Sequence, residues 1–424
     1  MTINQKSIRE ASCADDYDPN SMPVTKAREF IAGFLSPIEG ILHLPIRDAL
    51  GRVLAQDVVS PVNVPAHTNS AMDGWAVRID DLQQEGESIL TEVGAAFAGV
   101  PYNGVISTGE CVRIMTGGIV PDGADTVVMQ ERARADGKKI TIAPGQKKGQ
   151  NVRYPGEDLQ AGAVALAKGK IIRPADLGLI ASLGIGEISV YRPLRVAFFS
   201  TGDELRSVGT PLAAGQIYDS NRYTIYGMLR RLGCDVLDMG VVRDDPALLT
   251  TAFQDASQVA DVVITSGGVS VGEADFVKTI LNQLGEVVFW KVAMKPGRPL
   301  AYGKVGKAHF FGLPGNPVSV MVTFYQFVRE ALLTLMGVNP VPPIPVLKAT
   351  CLSNIKKVPG RTEFQRAILS PSADGGWSVV ITGEQGSGIL KSMSQANAFI
   401  ILDEKTAHVE AGSIVDVQVM EGFI

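Results

Sequence analysis

Cysteine is scarce in this chain: four in 424 residues (Cys13, Cys111, Cys234 and Cys351), with no CxxC pair and none at metal-ligand spacing from the four histidines. That pattern argues against a zinc module or a dithiol redox centre and reads as scattered buried thiols in a reducing compartment. Aromatic residues make up 6% and do not interleave with basic clusters, which disfavours a base-stacking RNA platform. Positive charge is not in excess either. A formal net charge of -5 argues against a sequence-independent nucleic-acid binder and confines any anion site to a local pocket. No run approaches 18 uninterrupted apolar residues, and the opening MTINQKSIREASCADDYDPN has no apolar segment. The expectation is a soluble cytoplasmic chain with a disordered polar tail. Two common phosphate-loop signatures, GxGxxG and GxxxxGK[ST], are also missing, as is any repeat with a period of 20 to 50 residues.

What remains is the composition of a multidomain globular protein, 46% apolar and 20% charged, long enough for several cores. VTKAREFIAGFL (24 to 35) has helical spacing. From about residue 61 short apolar runs alternate with glycine turns, and Asp136-Gly137 signals a hairpin. This predicts a β-rich insert over 61–150 within a first, discontinuous domain of 1–60 and 151–193. IIRPADLGLIASLG, with Pro174 at its start and Gly184 at its end, marks the chain's return to that domain as a helix. From Leu194 strand-like and helical stretches alternate, which predicts an α/β domain over 194–338 with a mostly parallel sheet. After the stiff PVPPIP connection, short strands predict a small C-terminal β-barrel over 346–424.

In open α/β sheets the loops after the strands line the ligand crevice. Here those loops are STGDEL, VVRDDP and TSGGVSVGEADF. They supply Glu204 beside Asp203, Asp244 beside Asp245, and Ser266, Gly267, Gly268, Ser270, Gly272, Glu273 and Asp275. Glycine backbone amides attract phosphate and carboxylates repel it; a divalent cation reconciles the two, because carboxylates hold Mg²⁺ and Mg²⁺ bridges phosphate oxygens. The plainer reading makes Asp275 and Glu204 helix-capping or helix-starting residues, which is compatible with metal binding. In FWKVAMKPGRPL, Lys291 and Lys295 share a face if the strand is regular and, with Arg298, form a cationic site; a solvated, lysine-guarded edge is the alternative. In FGLPGNPVSV, Pro314 and Pro317 frame a helix start with Asn316 as the cap. NSAMDGWAVR, RIMTGG and NVRYPGEDL offer Asp73, Thr116, Arg153, Glu157 and Asp158, for which ordinary turn roles, a hairpin turn at Asp73-Gly74 and a turn hydroxyl at Thr116, are the plainer reading by propensity.

In this order, NSAMDGWAVR, RIMTGG, PDGADTVVMQE, RYPGEDL, STGDEL, SGGVSVGEADF, KVAMKPGRPL and GLPGNPVS resemble the molybdopterin molybdenumtransferase family, which includes the C-terminal domain of gephyrin. The resemblance spans nearly everything after the first twenty residues. It implies an elongated homodimer of four-domain subunits and a reaction in which molybdate enters the dithiolene of molybdopterin-AMP with Mg²⁺, releasing AMP and molybdenum cofactor. It also implies that Glu204, Asp244 and Asp275 serve metal and nucleotide and that Lys291 and Lys295 hold an anion. Asp73, Thr116 and Asp158 would be donated across the dimer interface, while Arg153, Arg366 in RTEFQRA and Ser387 in QGSGIL complete the pocket. Gly388 follows Ser387 where members often carry serine or arginine. Contact with the molybdopterin adenylyltransferase is a further implication. A non-catalytic scaffold and adenylylation of molybdopterin are the alternative activities.

Overall fold

The computed structural model describes residues 7–8, 21–268, 275–373 and 375–420. Most of the expected polar tail lies outside these, with Ser270, Gly272, Glu273 and the side chains at 275 and 276; its Ile8, contrary to a disordered tail, is buried in the core with its amide donating to Glu286 Oε2 at 2.9 Å.

The α/β portion is a six-stranded sheet in the order Asp235–Val242, Arg195–Thr201, Val262–Ser266, Ala308–Leu313, Pro299–Val305, Gly285–Lys291. The first four strands are mutually parallel and the last two antiparallel. VAFFS in the second strand is buried throughout, and its side chains alternate between two cores. Phe198 faces helices Ser220–Arg231 and Pro317–Leu335, whereas Phe199 faces Pro246–Val259 and Asp275–Leu284. Each such phenylalanine contributes roughly 1.5–3 kcal/mol by leaving water. Helix starts follow local chemistry: Asp219 accepts from the Arg222 amide, and Asp245 accepts from the amides of Ala247 and Leu248 with Pro246 in the first turn.

The helix Pro317–Leu335, with a π-helical turn at Phe324–Val328, is long and apolar enough to cross a membrane, but 72% of it is buried inside the protein. Asn316 stands at its N-cap without a side-chain cap hydrogen bond, contrary to the cap expected there. Glu204 does not begin a helix either: Leu205–Arg206 is a short strand paired with Ile217–Tyr218.

Segments on either side of the insert pair with each other, Ile41–Pro45 with Glu187–Tyr191 and Val58–Val59 with Val164–Leu166. The helix Pro174–Ser182 packs on these, followed by Gly184 at φ +74°. The insert forms a separate six-stranded sheet, with Asp136 and Lys139 facing each other across the hairpin. Near the C-terminus Thr362–Pro371, Trp377–Ile381, Val346–Cys351, Ile414–Val419 and Ala398–Leu402 pair in turn, and the last pairs back to the first, closing a barrel. A two-residue strand of the α/β portion, Met294–Lys295, adds to this barrel parallel to Thr362–Glu363.

Candidate functional site

Thr201, Ser266 and Leu313 end neighbouring parallel strands, so the turns after them emerge side by side. With the loop carrying Asp244 and the barrel loop carrying Gln385 to Gly388, they enclose a cavity of about 1220 Å³. Glu204, Asp244, Ser266, Gly267, Gly268, Lys295, Arg298, Pro314, Pro317 and Ser387 all line it. The glycine turn depends on its lack of side chains. Gly267 and Gly268 have φ of +95° and +69°, and a Cβ on Gly267 would lie 2.6 Å from the Thr201 carbonyl oxygen. Asn221 ties the turn to its neighbour: its Nδ2 donates to Ser266 Oγ at 2.8 Å and to the Gly315 carbonyl at 2.6 Å. Asp275 begins the helix that follows the glycine loop, and Val277 of that helix lines the cavity.

The cationic wall differs from the regular strand expected. Lys291 ends the strand Gly285–Lys291, whereas Lys295 belongs to a separate strand carried by the barrel. The chain changes sheets between the two lysines, so alternation no longer puts them on one face. Lys295 lines the cavity and Lys291 does not. Lys295 Nζ lies 3.5 Å from the carboxylate of Glu363, which is only 2% exposed and also accepts from Gln365 Nε2 at 2.5 Å. A carboxylate this buried needs its partners. It therefore holds the half-exposed lysine near the mouth of the cavity.

Arg366 does not line the cavity. It is fully buried, donating from Nε to Ser392 Oγ at 2.7 Å and from Nη2 to the carbonyls of Glu384 and Gly386 at 2.9 and 3.1 Å. Burial pulls its guanidinium below the ordinary arginine value, and Nη1 has no hydrogen-bond partner. Its observed work is to brace the loop bearing Ser387. That loop is also tied to the helix Pro317–Leu335 by the Val318 amide donating to the Ser387 carbonyl at 3.1 Å.

The insert residues form a second centre, outside this cavity. Gly74 and Ile114 oppose each other across two antiparallel strands, so Asp73 just before one and Thr116 just after the other meet at the same sheet end. Asp73 Oδ1 accepts from both the amide and the hydroxyl of Thr116, each at 2.8 Å, and these bonds hold its carboxyl below the usual aspartate range. Asp73-Gly74 is thus the entry to a strand and not a hairpin turn. Arg153 is exposed on a short strand opposite Asn69, whose neighbour Ser70 accepts from the Gly117 amide; Asp158 is exposed with its amide bonded to the Val64 carbonyl.

Thr201, Asp219, Asn221 and Arg361 line the cavity although no sequence argument singled them out. The signal was present in YDSNRY, where a polar triplet opens a helix directly after a short strand. Arg361 opens RTEFQRA, the motif in which Arg366 drew the attention.

The comparisons agree with this anatomy. Residues 22–184 match the MoeA N-terminal region (domains I and II), 197–334 a probable molybdopterin binding domain, and 348–420 the MoeA C-terminal region (domain IV). The fold and cavity thus define a multidomain protein assembled around a molybdopterin-binding type of α/β domain. A molybdopterin molybdenumtransferase from Haemophilus influenzae is 46% identical over 89% of this chain and 93% of its own length. One from Mycobacterium tuberculosis is 36% identical over 89% and 94%. The crystal structure of a molybdopterin biosynthesis moeA protein from Pyrococcus horikoshii superposes with a TM-score of 0.81 at 28% identity, covering 95% of this chain and all of that one. The chain belongs to the molybdopterin molybdenumtransferase family.

Proposed function

We propose that this enzyme inserts molybdate into the dithiolene of adenylylated molybdopterin, releasing AMP and molybdenum cofactor. One observation carries the reading: a single cavity in the molybdopterin-binding type of domain has carboxylates (Glu204, Asp244), cations (Lys295, Arg298, Arg361) and a glycine turn on its walls. The glycine turn offers backbone amides to the phosphates. Lys295 and Arg298 attract molybdate, and Arg361 adds charge from the barrel side. Ser387 extends this anion wall on a loop braced from behind by the buried Arg366, whereas Lys291 lies outside the lining.

No group of three or more His, Cys, Asp or Glu side chains gathers as a metal cluster among the described residues. Mg²⁺ nevertheless suits the site, because it takes one or two carboxylates and completes its shell with water and substrate phosphates. Glu204 and Asp244 would hold it, with Asp275 at the adjoining helix start, and bound there it would neutralise charge on the phosphoanhydride as water cleaves it.

Asp73, Thr116, Arg153 and Asp158 act in this reading from the partner of a cytoplasmic homodimer. What supports this is that the ordered Asp73–Thr116 pair is exposed and outside its own chain's cavity. The test is anaerobic single-turnover release of AMP from molybdopterin-AMP. Release that depends on molybdate and Mg²⁺, and that drops at least 100-fold in Glu204→Gln/Asp244→Asn, is expected. ATP consumption without molybdate would identify adenylylation instead, and substrate binding without turnover would identify a scaffold.

A further inference from the structure

The barrel rests on the helix Pro317–Leu335 through a largely apolar interface: Phe364, Met393 and Phe399 join the core that contains Phe324, and the rings of Tyr325 and Phe399 meet edge to face at 6.0 Å. Apolar surfaces attract without direction, so such a contact holds two bodies together but fixes their register weakly. A polar side-chain contact interrupts it. Gln326, in the π-helical turn and 1% exposed, donates from Nε2 to Oε1 of the barrel's Gln418 at 3.0 Å, and Gln418 is itself 3% exposed.

The direction of this contact is imposed from a third element. Arg28, on the helix Val24–Ala32, donates from Nε to the Gln326 carbonyl at 2.8 Å and from Nη2 to Gln326 Oε1. A guanidinium can only donate, so Oε1 of Gln326 must face Arg28, Nε2 must face the barrel, and Gln418 must present its oxygen. That orientation leaves Gln418 Nε2 buried with no hydrogen-bond partner. An apolar residue would avoid that cost, so stability does not account for the amide, whereas selection of a single register does.

The register bears on the cavity from both sides. Gln326 lies about 10 Å along its helix from Ser319, which lines the cavity, and the neighbouring Val318 amide holds the Ser387 carbonyl. In the barrel, Gln418 pairs with Phe399 and Phe399 with Arg366, a row across three strands that ends on the arginine bracing the Ser387 loop.

We propose that Arg28, Gln326 and Gln418 form a latch that sets the register of the barrel on the helix and thereby places Ser387 at the anion wall. They are positioning residues, and none of them lines the cavity. The link to molybdate rests on the proposed reaction, while the register itself is tested without turnover.

The experiment compares the wild-type full chain with Arg28→Met/Gln326→Met/Gln418→Met, in which the polar relay becomes apolar at similar volume. Gln418→Asn, one methylene too short to keep the contact, is the second variant should the triple one fail to fold. Nitroxide labels on Gln254→Cys and Lys405→Cys, both exposed, report the distance between the α/β portion and the barrel; Cys13→Ser removes one native thiol, and Cys111, Cys234 and Cys351 are buried. The triple variant should keep a urea midpoint at or above that of wild type, its label distances should broaden, and its KM for molybdate in AMP release should rise about 5-fold with kcat changed less than about 2-fold. Label distances unchanged in the folded variants, or changed distances with an unchanged molybdate KM, would each overturn the assignment. A wild type that releases no AMP on adding molybdate would overturn the proposed reaction, and the label distances would still decide the latch.

Discussion

Glu363 shows how one buried side chain can govern an exposed one. Its carboxylate is nearly inaccessible, yet one of its partners is a cavity lysine. Glu363→Gln keeps the shape and the Gln365 contact but removes the charge that draws Lys295 inward. With the fold confirmed by an unchanged melting curve, KM for molybdate should rise about 10-fold while kcat changes less than 2-fold, the pattern of lost anion binding. An unchanged molybdate KM would remove Lys295 from the anion site. Asp73 and Thr116 illustrate the opposite situation. Their mutual bonds lie on an open surface, and neither motif by itself shows that the two residues meet; the cross-strand register brings them together.

At the scale of elements, the α/β alternation was legible because buried parallel strands are nearly continuous apolar runs with capped helices between them. DVVITS, for example, contains the wholly buried strand Val262–Ser266. The lysine strand was misread because KVAMKPGRP contains apolar residues on both sides of a sheet change, and alternation cannot register that the chain has moved to another sheet. Glycine in a strand was equally opaque. Gly74 reads as a turn residue, yet a Cβ there would sit 1.8 Å from the Val128 carbonyl oxygen of the paired strand. Gly74→Ala must push the strands apart and should cost about 3 kcal/mol or more, lowering the urea midpoint while the m-value stays constant. Full stability in that variant would show that the strand spacing can adapt.

For the molecule as a whole, acid sensitivity follows from a buried histidine. Burial, assisted by Lys304, depresses His309 to about 4, against about 6.5 in an unfolded chain. Above pH 6.5 the imidazole is neutral in both states and contributes no pH dependence. Between 6.5 and 4 the unfolded chain takes up a proton that the folded one refuses, so stability falls as pH falls, by up to about 3 kcal/mol. Asp261, held ionised by paired bonds from Arg192 at 2.7 Å each, has a depressed pKa. Its contribution is present above the ordinary aspartate value and fades as pH drops through the folded value. His309→Gln should flatten the denaturant midpoint between pH 6.5 and 4 while leaving the more acidic loss; an unaltered pH slope would contradict this account.

The short strand Met294–Lys295 has a consequence for anyone who wishes to dissect this chain. Cutting at the proline-rich connection would not yield a self-sufficient molybdopterin-binding type of unit and a dispensable appendage. The excised α/β piece would carry its lysine adrift from the counter-ion that seats it, and adding back the barrel as a separate polypeptide should restore anion binding before it restores anything else.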